Sequence, residues 1–175
     1  SDGYSHMGTD YFTAPFGWHM MNNDSAEIIA AASGIIIDKI DGNFDTTCGW
    51  PPPPNVGDWN YVAILHYDNS VSMYGHMKNG SVTTKSINET VEAGEYLGVV
   101  GSSGWSSGPH LHFEVYSNNQ FGQNNWFNPS NLIDPYQGQC NNMNDDSWWA
   151  NQKEYYDPAI IVTTTHFDYP IYNDC

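Results

Sequence analysis

The stretch Tyr61-Val-Ala-Ile-Leu-His-Tyr-Asp-Asn-Ser-Val-Ser-Met-Tyr-Gly-His76 decides the fold. Its two runs, Tyr61–Tyr67 and Val71–His76, are rich in Val, Ile and Tyr, residues that suit a pleated, half-buried surface. Asp68-Asn69 between them reads as a hairpin turn, where short polar side chains tolerate the backbone that tight turns need. Working outward, the same pattern recurs at Glu27–Ala32, Gly34–Ile40, Tyr96–Val100 and His110–Tyr116. Each run is bounded by Gly, Asn, Asp or Pro, the punctuation expected of strands. The chain offers no amphipathic pattern three helical turns long. The expected class is mostly all-β, an antiparallel sandwich or open barrel.

Three segments fall outside that sheet. Trp18–Ser25 is polar and Met-rich, and Asp41–Asn60 contains Pro51 to Pro54, which cannot donate to any ladder. Both are expected to be surface loops, and long ordered loops are often functional. The Asn- and Asp-rich tail from Gln137 has one more strand-like run, Ile160–Thr165. The expected organisation is one domain over 1–136 and a C-terminal extension over 137–175, docked on the domain or leading to something else.

The 175 residues carry 20 Asp plus Glu against 4 Lys plus Arg, a formal net charge of −16. All four basic residues are lysines. Such a chain lacks the basic footprint that nucleic acid or an anionic membrane would require. No apolar run approaches the about 18 residues that span a bilayer. With 39% hydrophobic and 15% aromatic residues, the chain is not disordered despite its charge. It shows no basic, apolar start, so the expected form is a mature one already freed of a signal peptide. Cys48, Cys140 and Cys175 have no CxxC spacing, which disfavours a thiolate metal site. A disulfide between Cys140 and Cys175 is expected, with Cys48 unassigned, in an oxidising compartment; three free or buried thiols are the alternative.

The chemistry must come from the histidines. In His110-Leu-His112 the two imidazoles are an i, i+2 pair, on one face of a strand about 6–7 Å apart. Exposed histidines on a half-buried strand would look the same. His6 and Asp10 share a face of an extended chain, and an imidazole with a carboxylate suits zinc. Adding one of His110 and His112 makes three protein ligands, which leaves a fourth position for water. The remaining histidine of the pair, and His76 in Tyr74-Gly-His-Met77, are then candidates for proton transfer. His66, His19 and His166 read as structural or solvent-facing. Trp105, just before His110, suits either a groove lining or loop packing. Trp148-Trp149 suits tail packing better than a carbohydrate platform. Glu114 shares a strand face with His112, as a partner of that imidazole or as a solvated acid.

The run His6-Met-Gly-Thr-Asp-Tyr-Phe-Thr-Ala-Pro-Phe-Gly17 resembles the first motif of the LytM/lysostaphin-type zinc metallopeptidases, peptidase family M23. Tyr74-Gly-His-Met77 is similar to that family's Tyr-x-His-Leu element. Val91–Glu114, glycine-rich and ending in His110-Leu-His112-Phe-Glu, resembles its last motif. The likeness runs from about residue 6 to residue 135, with the motifs in family order. It implies an antiparallel β-sheet core with long loops walling a narrow groove. It further implies one zinc ion on His6, Asp10 and His112 with a water as fourth ligand, and His76 and His110 as the catalytic histidines. Which of the two activates water and which stabilises the transition state is left open. The links from Gly17 to Ala26 and from Asp41 to Asn60 are longer than usual for the family. A family tyrosine found upstream has no equivalent position, and Tyr4 is the substitute.

The resemblance implies a secreted zinc endopeptidase cutting peptidoglycan cross-bridges or stems, with glycine near the scissile bond. An extracellular protease acting on glycine-rich proteins such as elastin is the alternative. A catalytically dead wall-binding regulator is disfavoured because all five site positions are present. The expected protein is a monomer with no nucleic-acid or membrane partner. Its acidity predicts activity on anionic walls that rises with salt.

Overall fold

A computed structural model describes residues 6–13, 16–49, 51–117, 129–137 and 146–153. The described elements are β1 (Thr9–Phe12), α1 (Gly17–Asn22), β2 (Glu27–Ile29), β3 (Gly34–Ile40), β4 (Tyr61–His66), β5 (Val71–Gly75), β6 (Thr90–Val91), β7 (Tyr96–Val99), β8 (His110–Tyr116), a 3-10 turn at Pro129–Asn131 and β9 (Leu132–Ile133). The main sheet has the order β1-β8-β5-β4-β3-β6, with β9 also on β8, and every pairing is antiparallel. A second, two-stranded sheet pairs β2 with β7. The mostly antiparallel β class read from the sequence is the class observed.

The opening hairpin forms β4 and β5, with Val62 opposite Tyr74 and Leu65 opposite Val71. At the turn Asn69 takes a positive φ of 68°, and the Asp68 carboxylate accepts the Ser70 N–H. β4 is apolar on both faces because both are covered. Val62 and Ile64 join Ile28, Ile36, Leu97 and Phe113 in one core cluster. Tyr61 and Ala63 join Ile37, Val71, Met73 and Tyr116 in a second cluster on the opposite face. Ile37 reaches that second cluster by ordinary alternation after Ile36, and the irregularity between Ile36 and Asp38 then puts Asp38 opposite Ala63.

β8 has the alternation that positions the site. Phe113 and Val115 belong to the first cluster. His110, His112, Glu114 and Tyr116, every second residue, face the other way. β1 lies against the first half of β8, with Asp10 opposite His112 and Phe12 opposite His110. β9 continues the same edge opposite Val115 and Tyr116.

Two expectations change. Trp18–Ser25 is not all loop: α1 spans Gly17–Asn22, because Met21 is buried at 2% exposure and anchors one turn and a half. β2 ends at Ile29, short of the expected Ala32. The ladder there shifts register between Ile28 and Ile29, and the Ala30 N–H turns to the Glu95 carbonyl. The described residues of Asp41–Asn60 are, as expected, irregular. They are tied to the loop before β8 by Thr47 N–H to Ser102 O and Gly49 N–H to Ser107 O.

Trp148 and Trp149 pack against the first cluster, Trp149 stacked on Phe113 and Trp148 tilted over His66. Packing, rather than a sugar platform, accounts for the pair. Cys140, Cys175, His166 and the run Ile160–Thr165 lie outside the described residues. Among those described, no helix is long and apolar enough to cross a membrane.

Candidate active site

Register brings the first ligand candidates together. The Asp10 Oδ1 atom lies 2.8 Å from His112 Nδ1 and 3.1 Å from His6 Nε2. One donor atom from each of these residues falls within 4.8 Å of the others. Gly8 permits the approach: at φ +129°, a Cβ there would meet the Phe113 carbonyl at 2.6 Å and His112 Nε2 at 2.9 Å. The His6 and His112 rings meet edge-on, with centroids 4.8 Å apart.

Glu114 orients the site from behind. It is buried, its Oε1 is 2.9 Å from His112 Nε2, and its Oε2 accepts the Tyr116 hydroxyl at 2.6 Å. With Nε2–H donated to Glu114, Nδ1 is the His112 nitrogen that faces Asp10 and His6; it donates its proton to Asp10 Oδ1 here, and loss of that proton would free its lone pair for an ion. Metal-ligating histidines usually have such an outer carboxylate. Of the two readings of Glu114, the partner of His112 is the one observed.

The electrostatics favour a cation at this point. Burial alone would lower the His112 pKa, yet hydrogen bonds to Asp10 and Glu114 push it up to about 9. Burial would raise the Asp10 carboxyl, but the hydrogen bond from His112 leads the opposing causes, and together they hold it below its ordinary value. Two imidazoles and a carboxylate of this kind fit a zinc ion, which takes N and O donors.

The other two histidines are held differently. His110 is 5% exposed, and its Nδ1–H donates to the Gly108 carbonyl at 2.8 Å. A carbonyl accepts only, so Nδ1 carries the proton and Nε2 keeps its lone pair, 3.6 Å from Asp10 Oδ1. His76 likewise donates Nδ1–H to the Ser103 carbonyl at 2.6 Å. Burial, reinforced by His110, pushes His76 down to about 3, so it is neutral at neutral pH. Burial lowers His110 as well. The two rings stand 4.7 Å apart. The site thus combines a cation-holding cluster with two neutral imidazoles that have free Nε2 lone pairs.

All five expected positions, His6, Asp10, His76, His110 and His112, therefore converge on one place. Trp105 is 41% exposed, two residues after Ser103. Tyr4 lies outside the described residues. His66 is elsewhere: its Nδ1–H donates to Ser33 O, and the Ser72 hydroxyl bridges its Nε2 to Tyr74 OH. His19 is exposed on α1.

Sequence reading missed two neighbours. Phe12 is 67% exposed and stacks on His110 at 5.4 Å and 26°. Trp59 meets His76 edge-to-face at 5.1 Å and lies 5.7 Å from His112. The strand pairing β1–β8 would have found Phe12. Nothing local in Gly57-Asp-Trp-Asn60 announces Trp59.

Comparison with known proteins agrees with this geometry. A peptidoglycan DD-endopeptidase from Vibrio cholerae, ShyC, is 31% identical over 114 residues, 65% of this chain and 21% of that protein. The glycyl-glycine endopeptidase ALE-1 of Staphylococcus capitis is 27% identical over 118 residues, 67% of this chain and 26% of that protein. The chain spans about a quarter or less of the length of the curated relatives it matches. The catalytic domain of lysostaphin from Staphylococcus simulans superposes with a TM-score of 0.50 at 24% identity, over 77% of this chain and 78% of that one, a likeness of fold. The family model for peptidase family M23 matches residues 6–125. That match takes in every one of the five converging residues, and the chain belongs to peptidase family M23.

Proposed function

We propose that this protein is a secreted zinc metalloendopeptidase that cuts peptide bonds in peptidoglycan cross-bridges or stems, with glycine beside the scissile bond. The carrying observation is the His6–Asp10–His112 cluster, with the Nε2 of neutral His110 3.6 Å from Asp10 Oδ1. His6 Nε2, Asp10 Oδ1 and His112 Nδ1 would hold the ion, with a water as fourth ligand. Bound zinc supplies Lewis acidity, polarising a carbonyl and lowering the pKa of a water. His110 Nε2 accepts the proton of the attacking water. The imidazolium so formed donates it to the leaving amine, which a neutral amine requires. His76, its Nδ1–H fixed on the Ser103 carbonyl, keeps a lone pair on Nε2 and so acts as an acceptor, orienting the attacking water through one of its O–H groups.

The substrate class rests on the relatives, whose names specify peptidoglycan and glycyl-glycine bonds. The test is digestion of purified peptidoglycan beside elastin, with mass analysis of the ends released. New amino termini from peptidoglycan that vanish with a zinc chelator and return with added zinc are expected. Release from elastin alone would transfer the protein to the alternative substrate, and release untouched by chelation would remove the metal from the reading. Recovery of the chain from culture medium rather than cells would support secretion.

The charge bears on where the enzyme works. At −16 it is repelled by an anionic wall when salt is low. At about 1 M ionic strength the Debye length is about 3 Å and the repulsion is screened. Hydrolysis of anionic walls is expected to rise between low and seawater-like salt, while cleavage of a short neutral peptide stays nearly level. A falling rate on walls would contradict this.

A further inference from the structure

His76 is one of four described non-glycine residues with positive φ, at 59°. The left-handed backbone is unfavourable for a residue with a Cβ, which it brings too close to the following carbonyl oxygen. Such a conformation persists only where the surroundings over-determine it. Two adjacent residues at the end of the Asp41–Asn60 loop supply those constraints.

Trp59 acts before His76 and beside it. Its ring occupies the place a Cβ on Gly75 would need, so Gly75 must be glycine. It meets the His76 imidazole edge-to-face, with 65° between the planes. Asn60 acts after it. The Asn60 carbonyl accepts the Met77 N–H at 3.0 Å, and its Nδ2 donates to the Met77 carbonyl at 3.1 Å. The backbone N–H of Asn60 donates to Ser103 Oγ at 2.9 Å, and Ser103 O is the acceptor for His76 Nδ1–H. Asn60 is wholly buried, and its remaining side-chain bonds go to the Asn43 backbone. Residues 59 and 60 thus hold both chain neighbours of His76, its ring and the residue that fixes its tautomer.

We propose that Trp59 and Asn60 are positioning residues that clamp His76 in its left-handed backbone and aim its imidazole at the metal-binding cluster. The assignment rests on the catalytic role given to His76 above. It makes the long groove-wall loop part of the catalytic apparatus and not only a boundary for substrate.

The test uses the full zinc-loaded chain with Asn60→Ala, Trp59→Leu and Trp59→Phe. The imidazole N–H resonances of His76 and His110 are followed by nitrogen-15 NMR, a readout that needs no substrate. Asn60→Ala keeps the two backbone bonds but removes the Nδ2 bond to the Met77 carbonyl and both bonds to Asn43, so the His76 Nδ1–H signal is expected to broaden while that of His110, bound to Gly108 O, persists. On peptidoglycan fragments kcat is expected to fall about 10²-fold, the scale of a catalytic group misplaced by about 1 Å. KM should stay within about twofold, since neither residue is assigned a substrate contact. Trp59→Phe should recover most of the kcat lost in Trp59→Leu. If Asn60→Ala does not fold, Trp59→Leu carries the same readouts. Unchanged His76 N–H and kcat in folded variants would overturn the clamp, as would equal loss of the His110 signal. If the unsubstituted protein cleaves nothing, the peptidase reading fails, and the NMR comparison still decides the clamp.

Discussion

Replacing His110 by alanine is expected to lower kcat/KM by about 10²–10⁴-fold and to leave the zinc in place. The magnitude is that of a lost general acid–base group, about 3–5 kcal/mol of transition-state stabilisation. The retention of metal follows from the geometry. His6, Asp10 and His112 form the donor cluster, and the His110 ring is anchored instead to the Gly108 carbonyl. The measurement pairs steady-state kinetics on a defined peptidoglycan fragment with metal analysis of the same preparation. His110→Gln provides a second variant, because its carboxamide can keep a donor near Gly108 O without a titratable nitrogen. Full activity in either variant would show that His110 is not the proton carrier. Loss of zinc together with activity would move His110 into the ligand set.

The fold was legible where side-chain parity was strong. Gly34–Ile40 and His110–Tyr116 match their expected bounds, because each is a run of strand formers that the sheet uses in full. β6 and β9 have only two residues each. Such pairs have no periodicity to read; they exist because β3 and β8 have edges to satisfy. The site was legible for a similar reason. His110 and His112 share a face by parity, and pairing with β1 delivers Asp10 opposite His112. Parity also separates His66 from the site, since Val62, Ile64 and His66 fall on one face and that face is core. Trp59 and Asn60 were illegible because their partners, Gly75 to Met77 and Ser103, are distant in sequence. The only local trace was a glycine preceding His76, and a glycine alone does not say what lies against it.

The ligand cluster makes an equally large prediction, on affinity rather than rate. Asp10→Asn keeps the size and an oxygen donor but removes the only negative charge among His6, Asp10 and His112. Its Oδ1 is the atom both His6 and His112 approach, so charge and geometry fail together. Zinc affinity, measured by competition with a chromophoric chelator, is expected to fall by more than about 10²-fold. The comparison is Glu114→Gln, which alters the outer partner of His112; such partners are worth about 10–100-fold in affinity. The order matters more than either value. Glu114 acts by fixing the His112 ring and by its charge at one remove, whereas Asp10 supplies a donor. A Glu114→Gln protein should therefore regain much of its activity at saturating zinc, and an Asp10→Asn protein should not. If both variants bound zinc as tightly as the unsubstituted chain, the ion would have to be held elsewhere, and the cluster would be a network of hydrogen bonds with no metal role. If Glu114→Gln were the weaker binder, His112 orientation and not the Asp10 carboxylate would dominate affinity, and the electrostatic account of the site would have to be rebuilt around the buried Glu114.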